Sequence, residues 1–350
     1  MMPINKRLKR ELKKNFAKYF FIGLVLFMGI TIISAFFTAT DGIMSTIESQ
    51  QSDCNIEDAN VTLVSQLSDD NISRLHEIGI NDLEDTSYCD VTALDDSDYT
   101  MRVFRVRDSV DKLSLIEGEL PANDKQIVLE SKTASAKNLS VGDEIDVDGK
   151  NYTLSGIVAV VDYNNVLQTV SSGVSNLKTF GLGFVSKQAF DGLDSAKMTI
   201  QYSLTAEDEQ SIDDTYNYLM DEEIAVNILK QSDNPRIKSI SDKTNTLKAE
   251  VTLISVVFVL LMVFIFYAMT SASVEKDSNL IGTFFSMGYT RWEIIQHYVR
   301  LPLIITLIGS VLGMITGSLL FAEPIGKITY STYSLPTFSG KVNLYPVSYT

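Results

Sequence analysis

Three stretches of the chain lack charge altogether: 22 residues between Lys18 and Asp41, 24 between Glu250 and Glu275, and 22 between Arg300 and Glu323. About 20 apolar residues suffice for a helix to cross the hydrocarbon core of a bilayer. A soluble helix keeps a polar stripe at its helical period, and neither Phe20–Phe37 nor Val251–Tyr267 has one. Three such stretches exclude buried helices of a soluble protein, and lipid is the expected solvent. A cleaved signal peptide is excluded for the first: its apolar core is about twice the usual length, and Phe36 and Phe37 interrupt the small residues Ser34, Ala35 and Ala39.

Histidine and cysteine are scarce, two of each. Cys54 and Cys89 permit one disulfide in an oxidising environment and prove no more. No G-x-x-x-x-G-K-[ST] loop occurs, so the chain lacks the usual cradle for nucleotide phosphates. The carboxylates Asp95, Asp96 and Asp98 lack the glycine-containing loop spacing of a defined calcium site. No catalytic, cofactor or metal motif emerges, and a membrane-tethered enzyme finds little support.

Lysine and arginine decide orientation, because basic flanks of short loops resist translocation. Residues 1–18 carry Lys6, Arg7, Lys9, Arg10, Lys13, Lys14 and Lys18 against Glu11 alone, which places the N-terminus in the cytoplasm of a plasma-membrane protein. Alternation then gives a membrane helix at 19–40, an outer region at 41–250, a second helix at 251–274, an inner loop at 275–300, a third helix at 301–322 and an outer tail at 323–350. His76 and His297 fall on opposite sides, so they form no pair. The outer region holds 39 acidic and 17 basic residues. Nucleic acid is not a partner for such a surface; a solvated acidic face and a preference for cationic ligands both fit it.

Ile4, Leu8, Leu12, Phe16 and Phe20 recur every four residues among lysines and arginines. That pattern fits a basic amphipathic helix on the membrane surface, and equally a flank that serves only orientation. Residues 41–250 read as an α+β domain. Strands are expected at Val61–Gln66, Thr86–Ala93, Met101–Arg107, Gln126–Leu129, Glu144–Val147, Tyr152–Val160 and Met198–Leu204, with a hairpin turn at Asp148-Gly149. Helices are expected at Asp70–Ile78, Lys132–Asn138 and Glu207–Met220. Tyr163–Gly192, rich in Ser, Asn and Gly, reads as a mobile loop, an ordinary flexible insertion or the place where the domain would touch a substrate or partner. From Asn234-Pro235 nothing breaks helical propensity before Gly282, so one helix is expected to carry motion from the outer domain through the second span.

The inner loop is too short for a domain. A helix over Asn279–Met287 places Leu280, Ile281, Phe284 and Phe285 on one face, Gly288 suits a left-handed cap, and Thr290-x-x-Glu293 is a capping box opening the next helix. The apolar face fits packing against the protein's own helices and docking of a cytoplasmic partner alike. Gly309, Gly313 and Gly317 form a G-x-x-x-G-x-x-x-G ridge that lets another helix approach closely, within the chain or in a second copy.

The run from Ile281 to Ile295 resembles the E-I-G-x-L-R-A-L-G-x-x-R-x-x-I signature of FtsX-like permeases, the membrane subunits of MacB-type ABC transporters. The matching positions are Ile281, Gly282, Phe284, Met287, Gly288, Arg291 and Ile294, while Leu280 stands for the usual glutamate and Phe285 for the usual arginine. Glu117–Pro121, Gln126–Leu129, Val141–Ile145 and Tyr152–Val158 are similar to the family's extracytoplasmic core domain. The resemblance implies a separate cytoplasmic ATPase, a coupling loop built from Leu280, Ile281, Gly282, Phe284, Phe285, Met287, Gly288 and Arg291, and no cofactor in this chain. It further implies a fourth span beyond residue 350 and a second permease unit or homodimer partner. ATP-driven closure inside would then move the outer domain. The alternative is a non-transporting sensor or scaffold whose outer domain binds a peptide or cell-envelope protein.

Overall fold

The computed structural model describes residues 12–13, 15–94, 96–194 and 197–336. The amphipathic pattern expected at 1–18 and Asp95 therefore lie largely outside the described residues. Those described fall into two compact units. One takes in the residues up to Gly42 and Asn245–Ile328, the other Ile43–Thr244 with the segment from Thr329.

The second unit is built on mixed β-sheet. Its first part consists of β1 (Ala59–Leu63), α2 (Asp69–Ile78), β2 (Ile80–Asp85), β10 (Met198–Ala206), α5 (Glu209–Asp221) and β11 (Ala225–Lys230). The strands lie in the order β11-β1-β10-β2 with every neighbour antiparallel, which is the split β-α-β arrangement of ferredoxin-like folds. Period-2 alternation sends Ala59, Val61, Leu63, Tyr202 and Leu204 to the helix side, where they bury Leu75, Ile212 and Leu219. Ser68 begins α2 with a reciprocal capping box to Asn71, and Gly79 ends it at φ 113°.

Between β2 and β10 the chain inserts a barrel. Its strands are β3 (Tyr88–Ala93), β4 (Asp96–Arg105), β6 (Gln126–Glu130), β7 (Glu144–Val147), β8 (Lys150–Ala159) and β9 (Phe180–Val185). They close as β3-β4-β9-β6-β8-β7, the last returning to β3 through Ala93 opposite Val147. Closure leaves no edge among these strands to template other chains. The outer half of β8 also pairs with β5 (Ser114–Gly118). The β7–β8 hairpin turns at Asp148-Gly149, both at positive φ, as a two-residue primed turn requires. Val91, Met101, Ile127, Leu129 and Leu154 fill the interior, and α3 (Ser131–Lys137) contributes Ala134.

The expectation of a mobile loop over Tyr163–Gly192 is corrected here. Its second half is β9 followed by α4 (Lys187–Asp191), and every residue of β9 is buried. Gly181 and Gly183 face the barrel interior, where an added Cβ would lie 2.1 Å from the Tyr99 hydroxyl and 2.9 Å from Ile127 Cδ1 respectively. Phe180, Leu182 and Phe184 face the other way, into a cluster with Phe104, Val128 and Val158. The glycines that resemble loop punctuation are there because larger side chains already fill the space opposite. The cysteines are both free and buried, with Cys54 Sγ 3.0 Å from the Ser114 hydroxyl and Cys89 in the barrel core.

The first unit is helical. It contains most of α1 (Phe16–Cys54) and α6 (Pro235–Lys276), together with α7 (Ser278–Ser286) and α8 (Arg291–Thr316). A π turn at Gly317–Phe321 leads on to α9 (Ala322–Tyr330). Thus α6 stops at Lys276 rather than running to Gly282, which lies inside α7. The stretch from Glu323, expected as a tail, is helical to Tyr330. Its continuation packs in the second unit, where Tyr330, Tyr333 and Leu335 bury against Ile43, Ile47 and Ile240. There the Ser334 N–H donates to the Asn164 carbonyl at 2.7 Å and the Ser334 hydroxyl accepts from the Val160 N–H at 3.1 Å.

Gly181→Val tests the placement of β9. A valine there overlaps the Tyr99 hydroxyl and Thr133, so the thermal unfolding midpoint of the purified protein should fall by an amount worth about 1–3 kcal/mol. In a mobile loop the same change would be neutral.

Candidate functional site: the three-helix unit and its α7 loop

Three helices are long and apolar enough to cross a membrane: Phe16–Cys54, Pro235–Lys276 and Arg291–Tyr330. In lipid no hydrophobic force drives helices together, so association relies on close backbone approach and polar contacts. The glycine ridge of α8 supplies the first. A Cβ on Gly309 would lie 2.7 Å from Leu26 Cδ2, one on Gly313 2.9 Å from the Phe27 carbonyl oxygen, and one on Gly317 2.3 Å from the Thr31 carbonyl oxygen. Successive glycines meet successive turns of α1, so the two helices run parallel and the ridge is occupied within the chain.

Hydroxyls supply the second. Thr31 and Thr316 approach to 3.1 Å, Ser34 and Ser318 to 2.8 Å, and Thr38 and Ser318 to 2.9 Å. These small polar side chains, three and four residues apart on α1, form a polar seam where the backbones are nearest. On another side of α1, the ring of Phe258 of α6 covers Gly29, where a Cβ would lie 2.1 Å from Cζ. At one end of the bundle Tyr19, Met269 and Leu301 bury together. At the other, Lys248 pairs with Asp41 at 2.8 Å. These contacts align the uncharged windows of α1 and α6 in depth. Gly29, Phe258 and the hydroxyl seam had no motif to mark them, although a Ser/Thr spacing of three and four inside an apolar run was a usable signal.

The loop between α6 and α8 turns tightly. Asp277 follows α6, and its Oδ2 accepts a hydrogen bond from the Tyr298 hydroxyl at 3.0 Å. Gly288 sits at φ 87° after α7, a left-handed position that favours glycine. Thr290 then caps α8: its hydroxyl accepts from the Glu293 N–H at 3.4 Å, and the Thr290 N–H donates to Glu293 Oε2 at 2.9 Å. Phe284 and Tyr289 meet edge to face across the turn, 5.5 Å between centroids.

Of the expected loop residues, Ile281, Phe285 and Arg291 come together, with Val274, Ile294 and Tyr298, around an apolar cleft of about 290 Å³. Leu280 and Phe284 are half-buried beside it. Phe285 remains 46% exposed, Met287 59% and Trp292 66%. Gly282 is exposed with nothing within 4 Å of its Cβ position, so no close approach requires glycine there. The loop is a helix–turn–helix with an apolar cleft between α6, α7 and α8, and it leaves Phe285, Met287 and Trp292 exposed. Among the described residues no group of His, Cys, Asp and Glu could hold a metal ion.

Residues 252–345 match the FtsX-like permease C-terminal family. Among solved structures, the extracellular domain of the noncanonic ABC-type transporter YknZ from Gram-positive bacteria is similar at 13% identity and TM-score 0.31, covering 49% of this chain and 98% of that one. A domain described as part of a permease from Porphyromonas gingivalis is similar at 10% identity and TM-score 0.26, covering 47% of this chain and 78% of that one. No curated protein matches the chain. Residues 252–345, which match that family, hold most of α6 and all of α7, α8 and α9.

Two substitutions separate packing glycines from the others. Gly313→Leu should wedge α8 from α1, lowering the thermal midpoint in detergent and broadening the size-exclusion peak. Gly282→Ala, placed in open space within α7, should raise or preserve the midpoint, by up to about 1 kcal/mol of helix propensity.

Proposed function

We propose that this chain is the membrane subunit of an ABC-type transporter, and that the loop containing α7 is where a separate cytoplasmic ATPase docks. The observation that carries the reading is the exposure of Phe285, Met287 and Trp292 on a short, rigidly capped loop. Such side chains lose free energy in water, at roughly 25 cal/mol per Å² of apolar surface, unless something covers them. Lipid covers the long helices, but a loop with Asp277, Arg291 and Glu293 around it belongs at the water boundary.

The basic residues before α1 support a cytoplasmic N-terminus; the first crossing then puts the sheet domain outside and the second returns this loop to the cytoplasmic side. Multi-pass insertion in the plasma membrane follows from the same alternation. In this reading Ile281 and Phe285 line the apolar cleft, Leu280, Phe284 and Met287 flank it, and Gly288 and Arg291 hold the turn. ATP-driven motion of the docked subunit is delivered to α6 and α8 and onward to the outer domain. A second permease unit or a homodimer partner completes the membrane assembly.

Phe285→Asp places a charge on a cleft-lining side chain that is 46% exposed. Co-purification of the ATPase from membranes of the native host should fall at least tenfold, while the thermal midpoint of the permease in detergent stays within the error of the wild type. Undiminished association would sink the docking role.

A further inference from the structure

Where α1 ends and α6 begins, the chain passes through one buried polar knot in the sheet domain. Glu57, three residues beyond the end of α1, accepts hydrogen bonds from Asn60 Nδ2 at 2.7 Å and from the Ser203 hydroxyl at 2.6 Å. It also accepts from Asn234 Nδ2 at 3.3 Å, immediately before α6. Asp111, Asp162 and Arg107 lie with it, and all four residues are at most 5% exposed. One guanidinium therefore faces three carboxyl groups in a buried site, and a bound proton reduces the imbalance, since an isolated buried charge is costly.

The hydrogen-bond inventory says which carboxyl takes the proton. Asp162 has the guanidinium, with Arg107 Nη1 at 2.6 Å from its Oδ1. Glu57 has the three neutral donors already named. Asp111 receives only the Glu57 N–H, at 2.9 Å to Oδ1. Its Oδ2 has no partner among the described residues, and neither do Nε and Nη2 of Arg107. A carboxylate that accepts a single hydrogen bond is the least stabilised of the three.

We propose that Asp111 binds a proton at neutral pH, and that this proton is the removable pin of a clasp joining the end of α1 to the start of α6. Burial, reinforced by Glu57 and Asp162, pushes the Asp111 carboxyl well above its ordinary range, and Arg107 only partly offsets this. Burial and then Asp162 likewise push Glu57 up. The other surrounding elements bring Asn234 and Arg236 from the start of α6, the latter turned to the Leu167 and Gln168 carbonyls, Ser203 and Gln201 from β10, Asp53 and the Cys54 thiol from α1, and Glu84 from β2, which accepts from the Asp108 and Ser109 N–H groups. Because the folded form holds the proton more tightly than the unfolded chain does, the clasp is tightest in acid. It loosens as pH climbs from the ordinary aspartate range toward the raised folded value. Above that value a second negative charge appears beside Glu57, whose hydrogen bonds tie the two helix roots together. The clasp rests on side chains of the sheet domain alone and does not depend on the docking of an ATPase.

Hydrogen exchange of the full chain in nanodiscs, corrected for the intrinsic pH dependence of exchange, reads the clasp at residues 55–60 and 107–112. Wild-type protection should fall with rising pH, by up to about tenfold per pH unit for one proton. Asp111→Asn should give a flat profile with protection at least equal to the wild type in acid, since asparagine tolerates the positive φ of 52° at this position. A flat wild-type profile, or a slope that persists in the variant, overturns the proposal. Infrared spectra of the wild type carrying ¹³C-labelled aspartate give a reading independent of the variant's folding. A protonated-carboxyl band at neutral pH supports the clasp, and its absence overturns it.

Discussion

The contact on which the helical unit depends is the approach of α8 to α1 along Gly309, Gly313 and Gly317. Lipid tails solvate a leucine as well as another leucine does, so the three helices gain nothing from burying apolar surface against each other. They gain from backbone proximity and from hydrogen bonds that lipid cannot replace. The positions where a Cβ would overlap α1 carry glycine, and the hydroxyls of Thr31, Ser34, Thr38, Thr316 and Ser318 interleave beside them. α6 meets α1 at separate points, through Phe258 over Gly29, Met269 beside Tyr19 and the Asp41–Lys248 pair. The geometry thus divides the unit into one tightly seamed pair and one helix held at fewer points.

The spans and the loop were legible in sequence because their signals are local. An uncharged run, a capping box and a left-handed glycine each depend on neighbours within a few residues, and Thr290, Glu293 and Gly288 take the conformations their spacing implies. Several strands were legible for the same reason, β7 with its boundaries and the Asp148-Gly149 turn among them. The end of α6 was less so. Asp277 and Ser278 carry no proline or glycine, and the break there comes with a contact from Asp277 to Tyr298, twenty-one residues on, which periodicity cannot see.

What sequence hid was tertiary. β9 alternates Phe-Gly-Leu-Gly-Phe, a period-2 pattern in which glycine occupies the inward positions, and glycine in a Ser- and Asn-rich context reads as loop. Only the barrel shows that Tyr99, Met101 and Ile127 fill the volume that side chains at 181 and 183 would need. β2, β5 and β11 escaped because their faces are largely polar or exposed, which leaves little apolar alternation to read. The segment after α9 looked like a tail because Tyr330, Tyr333 and Leu335 are scattered among Ser and Thr. Their partners, Ile43 and Ile47 on α1 and Ile240 on α6, lie far from them in sequence.

The split sheet explains why a domain with an ample apolar core also carries a buried ionic knot. One face of the β1–β10 sheet is apolar and covered by α2 and α5. The other presents Asn60, Gln201 and Ser203, which are buried as well. An apolar second face would have allowed the same enclosure with greater stability, since buried ion pairs seldom repay their desolvation. Polar side chains instead give directional contacts: Gln201 to Asn60, Asn60 and Ser203 to Glu57, Glu57 to Asn234. That chain of bonds runs from a central strand to the residues that end one long helix and begin another. Enclosure by hydrophobic packing tolerates sliding, whereas a directional network fixes one register and yields only when a member changes charge. A domain entered and left by two long helices needs its attachment points held in one register, and the polar face provides for that at a cost in stability.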